Sequence, residues 1–314
     1  MAAGRRAQAR FCGDGGTGKD ERQTTRRRGV PTGDARNGTR AVTSDEHVPE
    51  GRMGGALIDL DGTIYEVDRL VPGAREVTRW LRDRGLPFLF TTNTSRKSRK
   101  AVVESLAALG LETTESEILT APVAAARWLT GQGFRRVKLM LPASTAVEFE
   151  EFDLESDEPE AVVVGDLGAG FEFQLLNDAF RCLRRGARLV AVHRNRFWIT
   201  GEGATLDAGP FVVALEYAAR VESTLVGKPA PAFFEMAAGM LGLDGRELAV
   251  VGDDIDSDVR GARASGLTAV QVRTGKFDEQ LLAEASPNEM PHHVIDSIAD
   301  LPALLDPATG LPGV

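Results

Sequence analysis

The feature that most constrains this chain is a short apolar run ending in paired acids, Ala56-Leu57-Ile58-Asp59-Leu60-Asp61-Gly62-Thr63. A strand that ends there carries both carboxylates to the rim of a sheet, where the chain leaves an apolar core for water. In open α/β sheets that carboxyl edge is where ligands bind. Asp59 and Asp61 lie two residues apart and so face the same side of an extended chain. One such carboxylate can attack phosphorus and carry an acyl phosphate, and the other can hand a proton to a leaving group. Together they can hold a hard, oxygen-seeking cation such as Mg²⁺. Taken alone, the pair also fits a strand-to-turn junction whose acids merely solvate a loop.

Three further strand ends follow in order. Leu86 to Thr92 is a second apolar run, ending in Thr92 and Asn93, whose hydroxyl, amide and freed backbone N–H groups can cradle phosphate oxygens. Leu225-Val226-Gly227-Lys228-Pro229 places a lysine after a short β-rich run, with Pro229 suited to the opening of a helix. Glu247 to Val251 then feeds Gly252-Asp253-Asp254-Ile255-Asp256-Ser257-Asp258, a dense acidic cluster. Each turn is weak evidence by itself; the ordered set is specific.

This ordered set resembles the haloacid dehalogenase superfamily of phosphohydrolases over roughly residues 53–305. Val71-Pro72-Gly73-Ala74, Thr92-Asn93-Thr94-Ser95-Arg96-Lys97-Ser98, Asp207-Ala208-Gly209-Pro210-Phe211 and Gly227-Lys228-Pro229 are similar to its type IIA branch, which carries a C2 cap. The resemblance implies an α/β fold: a doubly wound parallel sheet with a smaller α/β cap domain inserted. It implies a phosphohydrolase that uses Mg²⁺ and an aspartyl-phosphate on Asp59, with Asp61 as general acid and base. Thr92, Asn93 and Lys228 would bind the phosphate, and Asp59, Asp253 and the Asp61 backbone carbonyl the metal. Asp254 and Asp258 would add outer bonds to metal or lysine, or serve as ordinary helix N-caps. The substrate expected is a small phosphorylated metabolite: a phosphomonoester, a phosphoamino acid or pyrophosphate. A non-catalytic phospho-ligand binding protein of the same fold is the alternative, although loss of catalysis would be expected to erode the motif acids. A homodimer formed through the cap is expected on the same ground.

Bulk properties narrow the classes. Hydrophobic content of 42% and charged content of 26% are ordinary for a globular protein. A net charge of −9 argues against nucleic acid or an anionic membrane as partner. Cys12 and Cys182 stand far apart in unlike contexts, which disfavours a disulfide framework and points to a reducing cytoplasm. Residues 1–52 are rich in Arg, Gly, Thr and Asp and show no periodicity. Such a segment offers too little apolar surface to offset its ordering entropy, so the expectation is a disordered extension, or a mis-assigned start upstream of Met53.

The remainder alternates strands and helices, which implies parallel pairing with right-handed crossovers. Helices are expected over 73–84, 98–109, 173–183, 210–219, 231–241 and 257–265, and strands over 136–141, 161–164, 188–192, 247–251 and 268–272. No core motif is interrupted between about 133 and 223, so that stretch reads as the inserted cap, with 53–132 and 224–314 as the core. The cap segment His193-Arg194-Asn195-Arg196 follows a strand end and offers cationic and amide donors, making it the candidate reader of substrate; an ordinary loop is the plainer reading.

Four decoys fail on their own terms. Gly13 to Lys19 matches most of a P-loop, but Asp20 stands where Ser or Thr is needed and no strand precedes it. Cys182 and Arg188 have the spacing of a cysteine phosphatase, but Cys182 falls inside an amphipathic helix whose N–H groups are used internally. Asp254, Asp256 and Asp258 mimic the start of a calcium loop, with Val259 where glycine belongs and Ser265 where the closing Glu belongs. His292 and His293 read as surface loop.

Overall fold

The structure, a computed structural model, describes residues 53–200 and 203–306. The extension over 1–52, with Cys12 and the P-loop look-alike, lies outside the described residues. The chain opens with β1 (Gly55–Asp59), a small hairpin β2 (Tyr65–Glu66) and β3 (Arg69–Leu70), α1 (Ala74–Asp83), β4 (Phe88–Thr92), α2 (Arg99–Ala108), β5 (Ile118–Thr120) and α3 (Ala121–Gly131). It continues through β6 (Val137–Met140), β7 (Ala161–Val164), α4 (Phe173–Arg184), β8 (Arg188–Ala191), a hairpin β9 (Phe197–Thr200) and β10 (Gly203–Leu206), α5 (Ala208–Ala219) and β11 (Thr224–Leu225). The last third holds α6 (Pro231–Leu241), β12 (Leu248–Gly252), α7 (Arg260–Ala264), β13 (Thr268–Val272), α8 (Glu279–Glu284), β14 (His293–Ile295) and α9 (Leu301–Leu305).

Two parallel sheets result. The first runs β14-β13-β12-β1-β4-β5, and its central strands are buried end to end. Burial on both faces explains why they read as continuous apolar runs rather than as alternation. Side chains alternate between two clusters. Ile58, Phe90, Val251 and Val270 pack under α1, α2 and α9; Leu57, Leu89, Val250 and Ala269 pack under α3, α6 and α7. Strand order reverses beside β1: the chain first fills β4 and β5, then returns to lay β12 on the other side of β1. That reversal is the switch point of a doubly wound sheet, and it sets Asp59 beside Asp253.

The second sheet runs β11-β8-β7-β6, also parallel. One face meets α3 with Phe149 and Phe152, the other meets α4 and α5. Its edge strand, Thr224–Leu225, pairs with β8 and so carries the sheet two residues past the boundary expected at 223. Helix α3 serves both sheets, giving Val123 and Ala124 to one cluster and Ala125 and Leu129 to the other. Cys182 is a buried helical residue of α4.

Two expectations are corrected. His293 is not surface loop, and His292, in the bend before it, is half-buried. His293 opens β14 in register with Val270, and His292 Nδ1 accepts from the Ala269 N–H at 2.9 Å. The helix expected over 257–265 is two pieces: a π-turn over Ile255–Val259 leads into the short α7. Asp254 causes the wide turn, since its side chain accepts from the N–H groups of Asp256 and Ser257 while its carbonyl receives those of Asp258 and Val259. Such π segments occur often at functional sites; here the extra residue turns Asp258 inward.

Candidate active site

The site is built at the carboxyl ends of β1, β4 and β12 together with the loop after β11. Asp59 ends β1 and is 7% exposed. The chain then turns on the Leu60 carbonyl, which accepts from the N–H groups of Thr63, Ile64 and Tyr65, and this turn leaves Asp61 exposed at the rim. Burial first, and then the nearby Asp61 carboxylate, holds the Tyr65 phenol well above its ordinary range.

Lys228 is 2% exposed and donates from Nζ to Asp59 Oδ1 at 2.5 Å and to Asp258 Oδ1 at 2.6 Å. Burial alone would pull its pKa down, but Asp258 and Asp59 outweigh it and hold the ammonium well above the ordinary lysine range. Carboxylate oxygens of Asp59, Asp253 and Asp258 lie within 4.8 Å of one another. One ammonium against three carboxylates leaves about two negative charges uncompensated in a buried space, where like charges resist ionisation. Accordingly Asp59 is raised, by burial first and then by Asp258, Asp253 and Asp61 against the pull of Lys228. Asp253 is pushed up to about 7, by burial and then by Asp258.

That charge deficit, in an all-oxygen setting, fits a hard divalent cation. The space around Asp253 is shaped as well. A Cβ on Gly62 would stand 2.0 Å from Asp253 Oδ2, and one on Gly275 2.1 Å from the same atom, with both glycines at positive φ. Asp253 Oδ2 also accepts from the Lys276 N–H at 2.7 Å. Asp258, expected as an outer partner, joins Asp59 and Asp253 in this carboxylate cluster, and the Asp61 side chain stands at the exposed rim.

The phosphate-binding candidates divide. Thr92 is buried, and its hydroxyl oxygen accepts from the Thr94 N–H at 3.0 Å, leaving its own O–H to donate. Asn93, expected as a phosphate contact, has its carboxamide in a two-point bond with the Lys228 backbone, donating to the carbonyl at 2.9 Å and accepting from the N–H at 3.0 Å. Only its second amide N–H is left, so Asn93 chiefly seats the lysine. Asp254 proves to be an N-cap that also accepts from Lys276 Nζ at 3.0 Å. Asp258 instead bonds the lysine directly. Asp256, the third acid of the calcium-loop look-alike, pairs with Arg260 at the surface.

Of the four cap candidates the structure brings one to the seam between the sheets. His193 is 2% exposed and contacts Ser95. Arg194 is instead held by Glu216, at 2.7 and 3.0 Å, and by Ser223, so its guanidinium serves the cap itself. The Asn195 carbonyl accepts from the Gly209 N–H, and Arg196 lies exposed beside Phe197 and Leu206 in a groove of the cap. Sequence reasoning missed the loop Thr274-Gly275-Lys276, in which Thr274 donates to the Gly62 carbonyl at 2.5 Å and the Gly275 N–H donates to Glu66. The available signal was a fifth strand end: the loop follows β13, which lies next to β12 in the sheet.

Comparison with known proteins agrees with this geometry. A family model described as haloacid dehalogenase-like hydrolase matches residues 56–155, and a HAD-hydrolase-like model matches residues 225–301. Human haloacid dehalogenase-like hydrolase domain-containing protein 2 is 37% identical over 246 residues, covering 75% of this chain and 94% of that protein. Human phospholysine phosphohistidine inorganic pyrophosphate phosphatase is 34% identical over 257 residues, covering 80% and 93%. Among solved structures, a p-nitrophenyl phosphatase from Archaeoglobus fulgidus superposes with a TM-score of 0.74 at 31% identity, covering 80% of this chain and 98% of that one. The chain belongs to the haloacid dehalogenase-like hydrolase family, as one of its type IIA, C2-capped phosphatases.

Proposed function

We propose that this phosphatase is Mg²⁺-dependent and hydrolyses a small phosphorylated metabolite (a phosphomonoester, a phosphoamino acid or pyrophosphate) through an aspartyl-phosphate on Asp59. The observation that carries this reading is the buried Lys228 ammonium set between Asp59 and Asp258, with Asp253 facing them. Lys228 holds one Asp59 oxygen still, leaving the other to attack phosphorus. As that bond forms, the bond to the leaving oxygen breaks and Asp61, exposed at the rim, gives that oxygen its proton. A water then attacks phosphorus and loses its proton to Asp61, and the P–O bond to Asp59 breaks, restoring both acids. Thr92 donates to the transferring oxygens, and Asn93 keeps the lysine in place. Mg²⁺, held by Asp59, Asp253 and the Asp61 carbonyl, would neutralise the phosphoryl charge.

The substrate range is supported by the relatives named for pyrophosphate, phosphoamino acids and p-nitrophenyl phosphate. Asp59→Asn should abolish Mg²⁺-dependent phosphate release from p-nitrophenyl phosphate while the fold persists by circular dichroism. Asp61→Asn should cost on the order of 10²–10⁴ in rate, more with poor leaving groups. A phosphoenzyme trapped on any other residue would overturn the assignment.

The cap, taken as about 133–225, is the part that encloses the site, and a lid of this kind excludes water and gates entry. Phe197, Leu206 and Val213 line one groove of the cap with Arg194 and Arg196, and are 51%, 59% and 50% exposed. We assign this apolar patch to a two-fold contact between caps of two copies, because a symmetric pair covers the same patch on both. Sedimentation should show a dimer that Leu206→Asp dissociates; a monomeric wild-type chain at micromolar concentration would end this assignment. No helix among the described residues is long and apolar enough to cross a membrane, and cysteine usage favours the cytoplasm.

A further inference from the structure

Core and cap meet in a buried polar junction that the steps above leave unused. The Ser95 hydroxyl, just past Asn93, accepts from the Asp166 N–H at 2.8 Å and lies 3.0 Å from His193 Nε2. Asp166 in turn accepts from Arg96 at 2.5 and 3.1 Å, and the Arg96 guanidinium sits 4.8 Å from the centre of the Trp198 ring. His193 stands two residues past the end of β8. The preceding carbonyl, of Val192, accepts from the N–H of Gly227 at 2.9 Å, and Gly227 precedes Lys228. The His193 backbone therefore abuts the loop that carries Lys228, on the cap side of the seam.

Hydrogen-bond accounting favours one tautomer. The Ser95 oxygen already receives one N–H, and among the described residues its own hydrogen has a single acceptor, His193 Nε2. Nε2 is then the lone-pair nitrogen, and a neutral imidazole carries its proton on Nδ1. Burial keeps the ring neutral, lowering its pKa against the opposing pull of Asp207, 3.7 Å from Nε2, and of Asp166; Lys276 acts in the same direction as burial. Nδ1 has no partner. A buried N–H without an acceptor is rare in folded proteins and calls for an explanation.

We propose that His193 reads the leaving group: its Nδ1–H donates to an anionic oxygen close to the scissile phosphorus, on a second phosphoryl group or a carboxylate, with Ser95 fixing the tautomer that makes this donor. The proposal rests on the phosphatase reading above and names the class of substrate it prefers.

Three probes test it: pyrophosphate, phosphoglycolate and phenyl phosphate, whose leaving groups carry a phosphoryl group, a carboxylate and no anion. His193→Ala should lower kcat/KM for the first two by about 10- to 100-fold, through KM, and change phenyl phosphate by less than about threefold, as expected for one hydrogen bond to a charged acceptor. Ser95→Ala should give the same selective pattern more weakly, and His193→Asn, which keeps an N–H donor, should recover part of the loss. A selective loss confined to pyrophosphate or to phosphoglycolate decides which anion is read. Equal loss on all three probes, or none on any, overturns the proposal. A wild-type chain that turns over phenyl phosphate but neither anionic probe also overturns it, and leaves the phosphatase reading standing. Wild-type inactivity on all three would instead strike that reading. Independently, ¹⁵N spectra of the four histidines should show the signal lost in His193→Asn as an Nδ1–H tautomer; an Nε2–H tautomer would refute the assignment.

Discussion

Gly275 shows how much of this site depends on a residue that has no side chain. Its φ of +64° is one that a β-carbon disfavours, and that carbon would sit 2.1 Å from Asp253 Oδ2. The neighbouring Lys276 N–H already fixes the same oxygen, so the carboxylate has little room to retreat. Gly275→Ala should therefore leave a folded protein whose half-activating Mg²⁺ concentration rises by about 10- to 100-fold, the usual cost of disturbing a metal ligand's support. Titrating activity against Mg²⁺ checks this; an unchanged midpoint would mean that Asp253 does not hold the metal. Asn93 makes the same point in a polar residue. Its carboxamide lies across the Lys228 backbone, so the residue expected to touch phosphate also clamps the lysine loop.

At the scale of elements, the 3₁₀ turn Glu115–Glu117 joins α1 to β5 through one carboxylate. Glu117 accepts from Arg82 Nε at 2.9 Å and Nη2 at 2.8 Å, from the Thr113 hydroxyl and from the Thr114 N–H. Burial pushes its carboxyl up, but these donors together outweigh burial and hold it below the usual glutamate range. A depressed folded pKa adds stability above the unfolded value, near about 4.3, and that stability is lost as pH falls through the folded one. Glu117→Gln should thus lower stability by about 1 kcal/mol at neutral pH, and the gap should narrow in melts as pH falls below the ordinary glutamate value. A gap that persists in acid would place the effect in packing instead. Strands β1, β4, β12 and β13 and helices α1, α2 and α6 were legible because each carries one clear period or one apolar run. Helix α3 was not, since Ala121 to Ala126 are buried all round between two sheets and show no polar face to mark a period. The π-turn was equally hidden: Asp254 and Asp258 look alike in sequence, and only the cap bonds of Asp254 decide which acid turns inward. Asp166 and Ser95, 71 residues apart, meet only because core and cap close on each other.

For the whole molecule, that closure converges on Gly227. It leaves the edge strand of the cap sheet and enters the catalytic loop, so it belongs to both halves. A β-carbon there would stand 2.2 Å from the Val192 carbonyl, 2.8 Å from Asn93 Oδ1 and 3.1 Å from the Ala121 β-carbon. Val192 accepts the Gly227 N–H itself, and Asn93 holds the next residue, Lys228. Relieving the clash must therefore either part the cap strand from the loop or unseat the lysine. Gly227→Ala should lower stability by about 1–3 kcal/mol, the cost of overpacking, and reduce kcat/KM uniformly across leaving groups, because Lys228 serves the phosphate common to all of them. Uniformity separates this effect from the selective one expected at His193. Gly186 supplies the control: its β-carbon would meet open space at a φ of +105°, so Gly186→Ala should cost stability alone. Steady-state kinetics on p-nitrophenyl phosphate beside thermal melts of both variants would decide the matter. If Gly227→Ala melts early yet keeps wild-type kcat/KM, the lysine is held by the core alone and the cap does not position it.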